Sequence, residues 1–292
     1  MSELSRRELL AGSAGLLGAA ALGRRVELTA PLAIGPSAPP RLKQSVSRWP
    51  YGSIPLAEFC RKAKEIGLDA IDLLQPEEWQ VAADAGLVCS MGYPSPRDDF
   101  IATGFNDPAN HRLLLGELER TIPLAHKAGV PNVITMFGNR HGASDAEAIQ
   151  HCIDGLSKIK ALAEEQQVTV CVELLNSKVD HKGYQGDHTA FGVAVTEGVG
   201  SPRIKLLYDI YHMQIMEGDV IRTIRDNIRW LGHFHTGGVP DRHELDDHQE
   251  LNWRGIALAL AELKFDGYFA HEFVPTRAPL ESLRQAVELC RV

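Results

Sequence analysis

Short apolar segments alternate with helical segments along the chain from Arg41 to its end. Each apolar segment is bounded by glycine, proline or charged residues, which is typical of parallel strands buried on both faces. Eight such strands with helices between them indicate a single closed α/β barrel, the (β/α)₈ or TIM-barrel architecture. The predicted strands are Lys43–Trp49, Ala70–Leu74, Val88–Gly92, Asn132–Phe137, Thr169–Leu175, Lys205–Ile210, Trp230–His235 and Tyr268–Phe273.

The segments between these strands carry apolar residues at helical spacing. The predicted helices are Leu56–Ile66, Glu77–Asp84, Ala109–Lys127, Ala146–Glu165, Ala190–Glu197, Asp219–Ile228, Arg254–Leu263 and Leu280–Cys290. An open, doubly wound sheet would carry a glycine-rich phosphate turn after its first strand, where this chain has Ser47-Arg48-Trp49-Pro50. A barrel needs about 250 residues. We therefore predict one barrel at residues 41–292 and a short extension at residues 1–40.

Composition excludes several classes of partner. The formal net charge of −8 and the pI near 5.8 argue against a surface for nucleic acid or anionic membranes. The five cysteines show no CxxC spacing, so we expect small buried apolar residues and neither disulfides nor ligands. The sequence leaves a homo-oligomer open and favours a small-molecule substrate.

The first residues resemble a targeting signal. Arg6 and Arg7 precede a mildly apolar run of alanine, glycine and leucine that ends at Leu22. Paired arginines before such a run are typical of a twin-arginine export signal. The run is too short and too rich in glycine and alanine for a stable membrane span. We therefore predict a periplasmic protein without a membrane anchor in its mature form; the alternative is a cytoplasmic protein.

Four strands in the second half of the chain each end in one residue that can bind a metal. These residues are Glu173, Asp209, His235 and Glu272, separated by 36, 26 and 37 residues. One strand, one loop and one helix occupy such an interval, and the carboxyl ends of barrel strands converge on one mouth. Three carboxylates and one imidazole suit Mn²⁺ or Mg²⁺. The sequence therefore predicts one bound divalent cation.

Neighbouring residues complete the predicted site. His212 should face the same mouth from the start of a loop, as a hydrogen-bond donor to substrate, and Arg242 on the next loop could clamp a substrate oxygen. His233 shares a strand face with His235 and should lie deeper in the barrel. Asp209 has an alternative role as a helix N-cap. The long polar segment 176–188 could close over a sugar.

The segments that contain these residues resemble the hydroxypyruvate isomerase group of the xylose isomerase-like TIM-barrel superfamily, which also holds ketose 3-epimerases. The matching segments are Val172-Glu173-Leu174-Leu175-Asn176, Asp209-x-x-His212, His235 with Arg242-His243-Glu244, and Glu272-Phe273-Val274-Pro275. The resemblance implies that Glu173 and Glu272 bind the metal and exchange protons with the substrate. It implies further that Asp209 and His235 complete the metal site and that His212 and Arg242 contact substrate. Hydroxypyruvate isomerases often have glutamine in place of His235, where histidine resembles the epimerases.

The reaction implied by this resemblance is a metal-dependent isomerisation of a sugar or keto acid. Aldehyde and ketone forms would interconvert through a cis-enediolate, with the two glutamates as proton donor and acceptor. Three alternatives remain open: a ketose 3-epimerase, a 3-keto-glycoside lyase, and a non-catalytic sugar-binding barrel, since a fold alone does not prove activity.

Replacement of Arg6 and Arg7 by lysine should retain the protein in the cytoplasm, because twin-arginine export depends on the arginine pair. Cell fractionation with detection of the full-length and processed forms measures the effect. A wild-type protein found uncleaved in the cytoplasm would contradict the export prediction.

Overall fold

The computed structural model describes residues 41–292. The predicted export signal and linker lie outside the described residues, so export stays a prediction. Within the described part of the chain, no helix has the length and apolar character needed to cross a membrane.

Eight parallel strands form a closed barrel in the order of the sequence. Each strand pairs with the next, and β1 pairs with β8 to close the sheet. The predicted barrel is confirmed. The strands are β1 (Lys43–Ser47), β2 (Ala70–Leu74), β3 (Val88–Gly92), β4 (Asn132–Met136), β5 (Thr169–Leu174), β6 (Ile204–Asp209), β7 (Leu231–Thr236) and β8 (Tyr268–His271).

Ten α-helices in the described part of the chain surround the barrel. Amphipathic helices such as α1 pack their buried face, including Phe59 and Ala63, against the sheet. The helices are α1 (Leu56–Ile66), α2 (Trp79–Asp84), α3 (His111–Ala128), α4 (Asp145–Leu156), α5 (Lys160–Glu165), α6 (Thr189–Val199), α7 (Ile210–Met216), α8 (Val220–Asn227), α9 (Trp253–Glu262) and α10 (Pro279–Leu289).

Two helical predictions were wrong. The predicted helix Ala146–Glu165 is divided into α4 and α5, because Gly155 and Ser157 near the junction weaken helix propensity. Helix α7 replaces the loop expected after β6. Asp209 caps α7, since its side chain accepts the backbone N–H of His212 at 3.2 Å. The N-cap role considered for Asp209 is therefore present in the structure.

The barrel interior contains polar side chains below the mouth. Ser45 and Ser90 lie 2.6 Å apart through their hydroxyl oxygens, and both are buried. The apolar core lies mainly between the sheet and the helices, with Val46, Val172 and Phe234 fully buried there. All five cysteines are free and buried, as predicted.

Glu244 fastens the segment after β7 to the start of α10. Its carboxylate accepts hydrogen bonds from the Thr276 backbone at 2.9 Å and from the Ser282 hydroxyl at 2.8 Å. Burial alone would raise the pKa of Glu244, but its own backbone N–H, Ser282 and Thr276 lower that pKa to about 2. Because Glu244 follows Arg242 closely, this anchor also holds the loop that carries Arg242.

Glu244→Gln should lower the free energy of unfolding by roughly 1–3 kcal/mol near neutral pH, since charged hydrogen bonds are lost. A carboxylate with a lowered folded-state pKa stabilises the fold above its unfolded value of ~4.3, and that contribution is lost as pH falls through about 2. Urea unfolding over descending pH should therefore show the two proteins converging in acid. The exposed substitution Glu165→Gln is the control, and a pH-independent difference would contradict the assignment.

Candidate active site

Four titratable side chains meet at the carboxyl end of the barrel. Glu173 lies in β5, Asp209 ends β6, His235 lies in β7 and Glu272 directly follows β8. One ligand atom from each lies within 4.8 Å of those from the other three, and all four residues are buried. The structure thus brings together all four residues that the sequence analysis predicted at the strand ends.

The chemistry of this cluster fits a divalent cation. His235 Nδ1 lies 2.7 Å from Glu272 Oε2 and 3.3 Å from Glu173 Oε1. In spite of these distances, the nitrogen makes no hydrogen bond of good geometry with any described residue. A buried ring nitrogen without a hydrogen-bond partner, surrounded by carboxylate oxygens, is suited to metal coordination. Glu173, Asp209, His235 and Glu272 are therefore the residues that could hold the metal.

Opposite charges compensate one another in the cluster. Burial alone would lower the pKa of His235, but Glu272 raises that pKa well above its usual value. Burial alone would raise the pKa of Glu272, but His235 and Arg242 lower it to about 2. Burial raises the pKa of Asp209 to about 7 in spite of the nearby Arg242. A metal-bound imidazole must be neutral, so a cation binding here would replace the proton on His235.

Asp72 in β2 orients His235, and the sequence analysis missed it. Its Oδ2 lies 2.7 Å from His235 Nε2, and its Oδ1 lies 3.1 Å from His233 Nε2. Ser90 donates a hydrogen bond of 2.6 Å to the same carboxylate, which is fully buried. Since Nε2 of His235 faces the Asp72 carboxylate, Nδ1 of His235 is the nitrogen that faces Glu173 and Glu272. His233 lies deeper than His235, on the Asp72 side, as expected from its position in β7.

A bulge in β2 brings Leu73 to the cavity. Asp72 pairs with Ser47 of β1 in regular register, so ordinary alternation along the strand already puts it on the interior face with Ala70. The register between β2 and β3 shifts between Asp72 and Leu74, and Leu73 between them has a left-handed backbone with φ +58°, which is strained for a branched side chain. Bulges of this kind re-aim side chains next to active sites, and here the bulge directs Leu73 toward the cavity above the cluster.

His212 is a neutral hydrogen-bond donor that faces the mouth. Asn176 Oδ1 accepts the backbone N–H groups of Val179 and Asp180 at 3.0 and 2.9 Å, so the Asn176 amide nitrogen must donate to His212 Nδ1 at 2.6 Å. Burial lowers the pKa of His212 well below its usual value. A neutral imidazole that accepts at Nδ1 carries its proton on Nε2.

The guanidinium group of Arg242 is a second hydrogen-bond donor at the mouth of the barrel, beside His212 Nε2. Its Nη1 lies 2.9 Å from His212 Nε2. Its Nη2 donates to Asp209 at 2.9 Å and to Glu272 at 2.5 Å. A substrate oxygen near His212 and Arg242 would accept from both donors. The structure therefore places both predicted substrate contacts beside the metal cluster and also pairs Arg242 with two of its carboxylates.

A cavity of about 530 Å³ lies above the cluster. Trp49, on the turn after β1, lines it and donates an indole hydrogen bond of 2.7 Å to Glu272. His181 brings the predicted 176–188 segment to the cavity wall, where its ring packs edge-on against His212. Sequence reasoning missed Trp49 and the hydrogen-bonding role of Asn176. It could have found Asp72, which is an acidic residue inside an apolar strand like Glu173.

The chain is similar in sequence to curated proteins named as isomerases. A 2-oxo-tetronate isomerase from Cupriavidus necator is 32% identical over 161 residues, which are 55% of this chain and 61% of that protein. That match therefore spans less than two thirds of the relative's length. A putative hydroxypyruvate isomerase from Drosophila melanogaster is 24% identical over 236 residues, 78% of this chain and 89% of that protein.

The barrel is also similar to solved structures. The 3-keto-D-glucoside 4-epimerase from E. coli superposes with a TM-score of 0.71 at 18% identity, covering 85% of this chain and 98% of that one. At this identity the likeness shows the fold alone. Residues 60–291 match the family model described as xylose isomerase-like TIM barrel. Since this match covers most of the chain, the protein belongs to the xylose isomerase-like TIM barrel family.

Proposed function

We propose that the protein is a metal-dependent sugar or keto-acid isomerase of the hydroxypyruvate isomerase type. The observation that carries this proposal is the placement of two glutamates, Glu173 and Glu272, on either side of His235 in one buried cluster below a cavity. The curated relatives, which are named as isomerases, support an isomerase or epimerase activity.

The proposed reaction moves a proton beside a carbonyl. One glutamate takes the proton from carbon, and the other returns it to the neighbouring carbon after a cis-enediolate has formed. A divalent cation held by the four cluster residues would supply Lewis-acid polarisation of the carbonyl. His212 Nε2–H and Arg242 would donate to a substrate oxygen and hold it in place. Each general acid–base step contributes roughly 10²–10⁴-fold to the rate.

Glu173 and Glu272 are held differently. Glu272 accepts hydrogen bonds from Trp49 and Arg242 and lies 2.7 Å from His235, whereas the only ion-pair partner of the Glu173 carboxylate within the described residues is His235 at 3.3 Å. We infer that Glu272 is the more rigidly placed of the two proton carriers and that Glu173 adjusts to the substrate.

A ketose 3-epimerase is the second candidate. Return of the proton to the opposite face of the same carbon requires the same two carboxylates and the same metal. His235 at the end of β7 favours this candidate, because histidine in that position resembles the epimerases.

Metal binding can be tested by thermal unfolding with Mn²⁺. A ligand that binds only the folded state stabilises it by about 2.7 kcal/mol at a hundredfold excess over its dissociation constant. Asp209→Asn keeps an N-cap for α7 but removes a charged ligand, so its melting temperature should respond much less than that of the wild type. Asp72→Asn should weaken Mn²⁺ affinity by about 10–100-fold, since the ligand His235 loses its orienting carboxylate.

The exposed substitution Asp226→Asn is the control for these two variants and should respond to Mn²⁺ as the wild type does. Equal thermal shifts in wild type and Asp209→Asn would reject the metal site. An unchanged Mn²⁺ affinity in Asp72→Asn would reject the orienting role of Asp72.

Catalysis can be tested by solvent deuterium incorporation. Glu173→Gln or Glu272→Gln keeps an oxygen near the metal but removes a base, so turnover and exchange should fall together by several orders of magnitude. Saturating Mn²⁺ should not restore the rate. His212→Asn should keep metal binding and mainly weaken substrate use. Near-normal exchange in Glu272→Gln at saturating metal would contradict the two-glutamate mechanism.

A further inference from the structure

The cavity above the cluster has two chemically different halves. The charged and hydrogen-bonding groups, including Glu173, Glu272, His212 and Arg242, come from strands β5 to β8 and the segments that follow them. The opposite half comes from β2 and the segment after it, the segment after β3, and β4. Its polar members are Gln75 and Glu78, and its other side chains are hydrocarbon or aromatic. This apolar wall consists of Leu73, Tyr93, Phe100, Ile101, Ile134 and Met136.

One member of the apolar wall is held there at a cost in backbone energy. Leu73 has φ +58° within a strand, a conformation that is strained for a residue other than glycine. Regular alternation in β2 already accounts for the orientation of Asp72, so it does not explain why the strained position carries leucine. Glycine would relieve the strain, and it would remove a side chain from the cavity wall.

The apolar wall is formed before any ligand binds. Tyr93 and Phe100 pack with ring centroids 4.4 Å apart. Arg97, between them in sequence, donates to Glu117 of α3 at 2.7 Å, and the Phe105 backbone N–H donates to a carbonyl of β4 at 3.1 Å. Hydrogen bonds thus hold both ends of the segment after β3 in place. The apolar wall therefore loses little further conformational entropy when a ligand packs against it.

The cations around the cavity are engaged by the protein itself. The residues that line it include two arginines and no lysine. Arg242 is paired with Asp209 and Glu272, and both terminal nitrogens of Arg48 donate to the backbone carbonyls of Tyr51 and Ile54. Charge compensation for the carboxylate of a small keto acid would therefore come mainly from arginines that already have partners, which favours an uncharged substrate.

We propose that the preferred substrate is an uncharged keto sugar that carries an apolar or aromatic group in glycosidic linkage. This inference rests on the proposed function, which requires a hydroxyl group beside a carbonyl at the metal end. A cavity of about 530 Å³ lies in the ~300–1,000 Å³ range that holds drug-sized ligands, much larger than a keto acid of three or four carbons. A glycosidic bond is the ordinary way for a sugar to carry an apolar body, and that body would pack against the apolar wall.

The experiment compares three substrates with Mn²⁺-loaded protein in D₂O. They are hydroxypyruvate and the methyl and phenyl β-D-glucosides oxidised to the ketone at C3. We expect kcat/KM for solvent exchange to be ~10-fold or more higher for the phenyl than for the methyl compound, since apolar contacts in a pocket discriminate by at least this factor. Hydroxypyruvate should be the poorest of the three.

Two variants test whether the apolar wall causes the preference. Ile101→Ala should reduce the phenyl-to-methyl ratio of kcat/KM at least several-fold, because the phenyl group loses an apolar contact that the methyl group does not reach. Leu113→Ala removes a similar side chain from the outer face of α3 and should keep the wild-type ratio. An unchanged ratio in Ile101→Ala would overturn the assignment of the wall.

A binding measurement separates this inference from the proposed function. Unoxidised phenyl and methyl β-D-glucosides cannot react, so calorimetric titration compares their affinities without turnover. Tighter binding of the phenyl compound in the wild type, and loss of that difference in Ile101→Ala, would support the inference. If none of the keto compounds exchanges deuterium, the proposed isomerase is rejected, but this binding result would still support the inference. Exchange that is fastest on hydroxypyruvate, with equal binding of the two glucosides, would overturn the inference and leave the isomerase standing.

Discussion

Negative charge buried at the mouth of the barrel must be compensated, and the arrangement of the site depends on how this is done. Glu173, Asp209 and Glu272 are each at most 5% exposed, so water cannot solvate them. His235 and Arg242 lie among them and carry the positive charge. Such a cluster is costly unless every charge has a partner. A divalent cation would supply the missing charge while releasing the proton of His235.

This requirement explains why Asp72 lies below the cluster. An imidazole that serves a metal through Nδ1 needs its other nitrogen fixed, and a carboxylate fixes it most strongly. Asp72 reaches His235 from the interior face of β2, and the strand departs from regular geometry at the next residue. The strain at Leu73 therefore lies beside the site, as is common near functional sites.

The strands and the convergence of Glu173, Asp209, His235 and Glu272 were predictable because they depend on local and periodic features. Strand β2 was predicted with its observed limits, and the cluster followed from residues at strand ends. Helix α7 was missed because its signal is a single capping residue, Asp209. The bulge at Leu73 and the Asn176–His212 pair depend on contacts between segments that are distant in sequence. No pattern within one segment records such contacts.

The two halves of the mouth follow from the order of the strands. In a closed barrel, neighbours in sequence are neighbours in space, so ligands on β5 to β8 occupy one contiguous arc. The arc from β2 to β4 then lies opposite and is free to carry other side chains. In the proposed mechanism, proton transfer needs only the first arc, so differences in substrate preference could arise in the second arc without disturbing the residues proposed to hold the metal. The barrel would thus let one arc of residues set the chemistry and another set the shape of the substrate.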